Sequence, residues 1–210
     1  MAATASLLAN AAIAVLSVGA WLHMLLGLGG DATLSARGIG SFKYYTVLSN
    51  LFSGFVSGMC AAAFLTLGSV PLWLLTLKIA ATATVMVTFL TVILLLGPTL
   101  GWKGMYSGGN FWMHGALPLF AALDCVFLLP VADLPVWATL WAMMPTALYA
   151  VFYLRMVWRG VTHEERRRID FYGFLRWGED KAYVVATVMT LITWLVALAL
   201  YGASALALPR

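Results

Sequence analysis

Charge is what this chain has least of: 10% of its 210 residues are Asp, Glu, Lys or Arg, against 63% hydrophobic. With a mean hydropathy of +0.94, it lies outside the range of soluble domains. Membrane spans of ~20 residues each consume most of the length, so residues 1–210 are expected to form one integral-membrane domain with no separate soluble unit. Cysteine is also scarce. Cys60 and Cys125 fall in apolar segments, where a thiol acts as a small buried hydrophobe and suggests neither a disulfide framework nor a metal knuckle. The first twenty residues lack the basic region of a cleaved signal and run into too long an apolar stretch, so they read as a first span. No internal repeat is visible, which withholds support from an inverted-repeat transporter. The net charge of +4 collects mainly in one loop beside a membrane segment, as topology requires, and nucleic-acid binding is not expected.

What is present is a set of apolar runs punctuated by Gly, Pro and charge. They predict an all-α, polytopic bundle of six transmembrane helices at about 5–29, 43–68, 72–97, 110–131, 134–158 and 182–206. The second and fourth connections, GSVP and ADLP, are tight. The first, third and fifth (30–42, 98–109 and 159–181) are longer and carry Gly, Trp and charge. Arg37, Lys43, Lys103, Arg159, Arg166, Arg167, Arg168, Arg176 and Lys181 lie in or beside these longer loops, with Arg210 on the opposite side. The positive-inside rule then makes the long loops cytoplasmic and both termini external.

Polar residues inside spans are few enough to be weighed singly. At 1.5 Å per residue, Thr46 and His114 sit about one turn into the second and fourth helices from the long-loop side, and His23 about one to two turns into the first. Thr46, Asn50, Ser53 and Ser57, with Ser49 beside them, form one stripe on the second helix. Gly54 and Gly58 add a small-xxx-small spacing, so Ser53 and Ser57 read as helix-packing residues. Lys78 and Asp124 fall at matching depth on antiparallel neighbours, where a buried ion pair is the first explanation. In the fifth loop, the arginine run reads as a topology signal and lipid-headgroup contact. Phe171, Tyr172, Phe174 and Trp177 are expected to cover the cytoplasmic mouth, with Asp170 pointing into it.

The segments FKYYTVLSNLF, FWMHGALPLFAALDCVF, YAVFYLRMVWRG and IDFYGFLRWG, in this order and spacing, resemble the androgen-induced (FAR-type) family of multi-span membrane threonine hydrolases and its bacterial relatives. The likeness runs from the first loop to the start of the sixth helix. It implies cleavage of fatty acid esters of hydroxy fatty acids, with the nucleophile falling on Thr46 and the histidine on His114. The chemistry agrees with the residues, because a threonine hydroxyl needs a base within hydrogen-bond reach and an imidazole is the usual one. Lys43, Tyr45, Ser49 and Asn50 are candidates for binding substrate or the developing oxyanion, and His23 or Asp170 for orienting the histidine. A lipid or fatty-acyl ester is the expected substrate, membrane lipids are the expected surroundings, and no cofactor is expected. The rival readings are an acyltransferase using the same Thr and His, and a small transporter or channel lined by Lys78, Asp124, His23 and His114. A metal site from His23, His114 and a carboxylate matches no ligand spacing.

Overall fold

The computed structural model describes residues 2–26 and 38–208. Arg37, Arg210 and most of the first long loop lie outside them, as do the last residues expected for the first span. Helices account for the framework: α1 (Ala2–Leu25), α2 (Tyr45–Leu67), α3 (Leu72–Thr91), α4 (Leu117–Phe127), α5 (Met143–Val157), the short α6 (His163–Ile169) and α7 (Glu179–Ala207). No strand occurs among the described residues. Five helical stretches there are long and apolar enough to cross a membrane: Ala3–Leu25, Tyr45–Leu67, Leu72–Thr99, Val136–Val157 and Lys181–Ala207. The fourth segment expected to span is helical from 109 to 127 but is not one of those five. Asn110, His114 and Asp124 reduce its apolar content.

The polarity of this bundle is inverted relative to a water-soluble one. Leu8, Val15, Phe55, Leu65, Val184 and Leu195 are exposed, whereas Ser6, Asn10, Ser57, Lys78 and Asp124 are buried. Lipid as the surrounding solvent accounts for both, because apolar side chains lose nothing there and polar ones must find partners inside. The chain is therefore an integral membrane protein with an all-α polytopic fold.

Helix α3 is central, packing on α2, α4 and α7, while α1 lies along α2. The pair approaches closely at Gly54, where an added Cβ would stand 2.5 Å from Ser17 Cβ. The small-residue spacing on α2 thus does bring two backbones together. The tight turn after α2 ends on Gly68 in the left-handed region (φ 72°), whose N–H donates to the Phe64 carbonyl, and Pro71 precedes α3.

Two π-helical turns interrupt otherwise α-helical segments. Val92–Leu96 precedes Pro98, and Trp112–Ala116 precedes Pro118. A proline has no N–H for the carbonyl four residues back and its ring crowds that carbonyl, so the backbone widens ahead of it. For Pro118 the carbonyl concerned belongs to His114.

Candidate active site

The entrance of α2 is assembled from the fifth loop downward. The chain arrives through a 3₁₀ turn, Gly38–Lys43, and passes an extended Tyr44. The first amide of the helix, on Tyr45, has no acceptor within the helix and donates instead to the Tyr172 hydroxyl at 2.9 Å. The Tyr149 hydroxyl donates to the Lys43 carbonyl at 2.7 Å. Phe171 meets Tyr44 edge-on with centroids 4.8 Å apart. The Lys43 ammonium lies over both rings, at 5.1 and 5.3 Å from their centroids. Phe171 and Tyr172 therefore pack on the α2 entrance. Burial pushes the Tyr172 phenol up to about 12.

Trp177 departs from the expectation. It is exposed and pairs with the Arg176 guanidinium 4.1 Å from its ring centroid. Asp170 departs further. Its Oδ1 accepts from the Tyr153 hydroxyl and from the Phe174 amide at 2.9 Å, and its Oδ2 from the Leu175 amide at 2.7 Å. The carboxylate is consumed in shaping the loop and does not orient the histidine.

His114 is buried within the π turn, and its Nδ1 sits 2.8 Å from the Met105 carbonyl. A carbonyl only accepts, so Nδ1 carries the proton in this contact and the lone pair of the neutral ring is on Nε2. The ring is thus oriented by a backbone carbonyl rather than by Asp170 or His23. Met105 belongs to a short helix, Trp102–Met105, pinned by the next residue: the Tyr106 ring lies 3.3 Å from where a Cβ on Gly115 would stand. His23 is half-buried and lies against the backbone at Gly109, near the start of the segment that carries His114.

Thr46 is half-buried in the first turn of α2. Among the described residues no hydrogen bond joins its side chain to His114. The two segments are joined through Asn50, whose Nδ2 donates to the Thr46 carbonyl at 2.8 Å and the Met113 carbonyl at 3.1 Å. This corrects the expectation for Asn50, which has no N–H left to offer an oxyanion. Ser49 donates to the Thr46 carbonyl at 3.2 Å and shares a hydrogen bond with Thr88 at 3.1 Å. Tyr45 also turns elsewhere. Its hydroxyl pairs with Thr146 of α5 at 2.7 Å, and Thr146 with Thr193 of α7 at 2.9 Å. Lys43 is the one oxyanion or substrate candidate whose side chain makes no hydrogen bond among the described residues, its ammonium facing only the two aromatic rings.

Tyr45 and Ser49 border a cavity of about 290 Å³ between α2, α3 and α5, otherwise lined by Leu48, Phe52, Thr84, Pro145, Leu148, Tyr149 and Phe152. The cavity is almost wholly apolar. Thr46 and His114 are not in its lining.

Lys78 and Asp124 form the expected pair, with Nζ 3.0 Å from Oδ2 and both side chains fully buried. Sequence reasoning missed the rest of their network. Lys78 also donates to Asn10 Oδ1 at 2.7 Å and Ser57 Oγ at 2.8 Å, while Asp124 accepts from Ser6 and Asn10, both at 2.8 Å. Ser57, expected only to pack, is a ligand of the ammonium. The signal was there in Ser6 and Asn10, spaced i, i+4 at the matching depth of α1. Likewise, Pro118 four residues after His114 marked the π turn.

The described residues contain no group of three or more His, Cys, Asp and Glu side chains that could hold a metal ion. Comparison of the chain with protein-family models, curated proteins and solved structures finds no match.

Proposed function

We propose that this protein is an intramembrane hydrolase of lipid esters, with Thr46 as nucleophile, His114 as base and the long loops facing the cytoplasm. The observation that carries the reading is the Asn50 clip. One amide group ties the turn bearing Thr46 to the turn bearing His114, and the Met105 carbonyl leaves the imidazole lone pair on Nε2. Nε2 accepts the Thr46 hydroxyl proton as Oγ1 attacks the ester carbonyl. The proton then passes to the departing alcohol, leaving an acyl-threonine that water hydrolyses. With Asn50 committed, negative charge on the carbonyl oxygen falls to Lys43. The apolar cavity beside Tyr45 and Ser49 suits part of an acyl chain. A fatty acid ester of a hydroxy fatty acid fits this combination of apolar groove and cationic rim. Lys78 has all three of its protons donated, so we assign the deep ion pair to architecture rather than to a transport path.

The test is hydrolysis of a long-chain ester of a hydroxy fatty acid by the purified chain. Thr46→Ala and His114→Ala should each lower the rate by about 10²–10⁴-fold with folding intact. Full activity in either folded variant would end the assignment.

A further inference from the structure

Asn50 has a hydrogen-bonding state that is both fixed and incomplete. It is fully buried. Both hydrogens of Nδ2 go to carbonyl oxygens, of Thr46 and Met113, and a carbonyl cannot donate. The amide therefore cannot be flipped, and the remaining atom is necessarily the acceptor Oδ1. Among the described residues that oxygen is buried without a partner. A bare acceptor in a dry interior is costly and calls for a donor that arrives during function or an ordered water. Three further orphans among the described residues lie toward the same end of the bundle, Trp21 Nε1, Ser41 Oγ and Trp158 Nε1, and two, Ser17 Oγ and Thr82 Oγ1, lie within α1 and α3. Trp21 packs in one cluster with Tyr44, Val47 and Met113. In contrast, none of the side chains in the Lys78–Asp124 network is an orphan.

We infer that Asn50 Oδ1 positions the water that hydrolyses the acyl-Thr46 intermediate. This rests on the Thr46–His114 reading and reverses the polarity first expected of Asn50, from donor toward an oxyanion to acceptor from the nucleophile. The water donates one hydrogen to Oδ1 and loses the other to His114 Nε2 as its oxygen attacks the acyl carbon. The tetrahedral intermediate collapses by breaking the bond between the acyl carbon and Thr46 Oγ1. Oγ1 takes the proton back from His114, which releases a fatty acid and restores the Thr46 hydroxyl. Because the same amide is tied to the Thr46 and Met113 backbones, its oxygen keeps a fixed relation to both the acyl group and the base.

The experiment uses the purified full chain and a long-chain p-nitrophenyl ester, following the initial burst of nitrophenol, the steady rate and the intact mass after acid quench. Asn50→Ala should keep the burst, lower the steady rate at least ~10-fold, and accumulate the acyl adduct on Thr46, with hydroxylamine restoring turnover. A steady rate equal to that of the unaltered protein, or equal loss of burst and steady rate in a folded variant, would overturn it. If the alanine variant does not fold, the unaltered protein decides. A held water predicts that the acyl-enzyme partitions to water over equimolar methanol by more than ~10-fold, and statistical partition contradicts it. Absence of any Thr46 adduct in an active enzyme overturns the parent reading, whereas a normal adduct with deacylation unchanged in Asn50→Ala overturns this inference alone.

Discussion

Two polar clusters share the interior of this bundle, and they differ in how completely they satisfy themselves. In the deep cluster, Ser6, Asn10, Ser57, Lys78 and Asp124 come from α1, α2, α3 and α4, and every proton of the ammonium has an acceptor. At the long-loop end, Asn50 Oδ1, Trp21 Nε1, Ser41 Oγ and Trp158 Nε1 are buried without partners among the described residues. A closed network fixes helix register and has no position for a ligand. An open one is built at the expense of stability and fits a site that is completed by water or substrate. A fully satisfied buried charge pair is thus accounted for by architecture alone.

The largest effects are expected at the ion pair. Lys78→Met or Asp124→Leu alone should destabilise the protein by about 3–5 kcal/mol by stranding a buried charge, while the double substitution should recover most of that loss. Denaturant unfolding in detergent measures both. Ester hydrolysis per folded molecule should be unchanged in the double variant, and its abolition there would move the functional centre to the deep cluster. Next in size, Gly54→Val should cost about 1–3 kcal/mol because a Cβ lands within 2.5 Å of Ser17 Cβ, and Ser17→Gly in the same chain should return part of it.

These effects also show what was legible in the sequence. The Lys78–Asp124 contact followed from depth alone, since a charge in lipid has few alternatives to an oppositely charged neighbour. The helix order and the aromatic contacts of Phe171 and Tyr172 followed from span lengths and interface chemistry. Depth carries no information about rotation around the helix axis, and that is where the reading of the site failed. Tyr45 and Thr46 are adjacent in sequence, yet Tyr45 reaches across to Thr146 and Thr193. The polarity of Asn50 depends on two carbonyls, one of them 63 residues away. The partner of His114 is a backbone oxygen, a role any residue type can fill, so nothing at Met105 advertises it. Asp170 had the right chemistry for the task but closes its own loop instead.

Smaller effects sharpen the picture of the fifth loop. Asp170→Asn should loosen it by about 1–3 kcal/mol, through loss of charge-assisted bonds to Tyr153, Phe174 and Leu175. Faster amide exchange at 170–177 is the readout. The smallest effect concerns pH. His163 first, and then Arg166, hold the Glu179 carboxyl below its usual value of 4.5. A depressed carboxylate contributes stability that is complete above the unfolded value and is lost as pH falls through the folded one. Docking of α6 onto the start of α7 should therefore weaken only below about pH 4.5, seen as a rise in α6 amide exchange that Glu179→Gln removes.

The central claim, that the unsatisfied cluster is the reactive one, is tested most directly by locating the modified residue after treatment with a fluorophosphonate. A single adduct on Thr46 Oγ1 is expected, formed at least ~10²-fold more slowly in His114→Ala. An adduct on another hydroxyl, or labelling of Thr46 indifferent to His114, would contradict it.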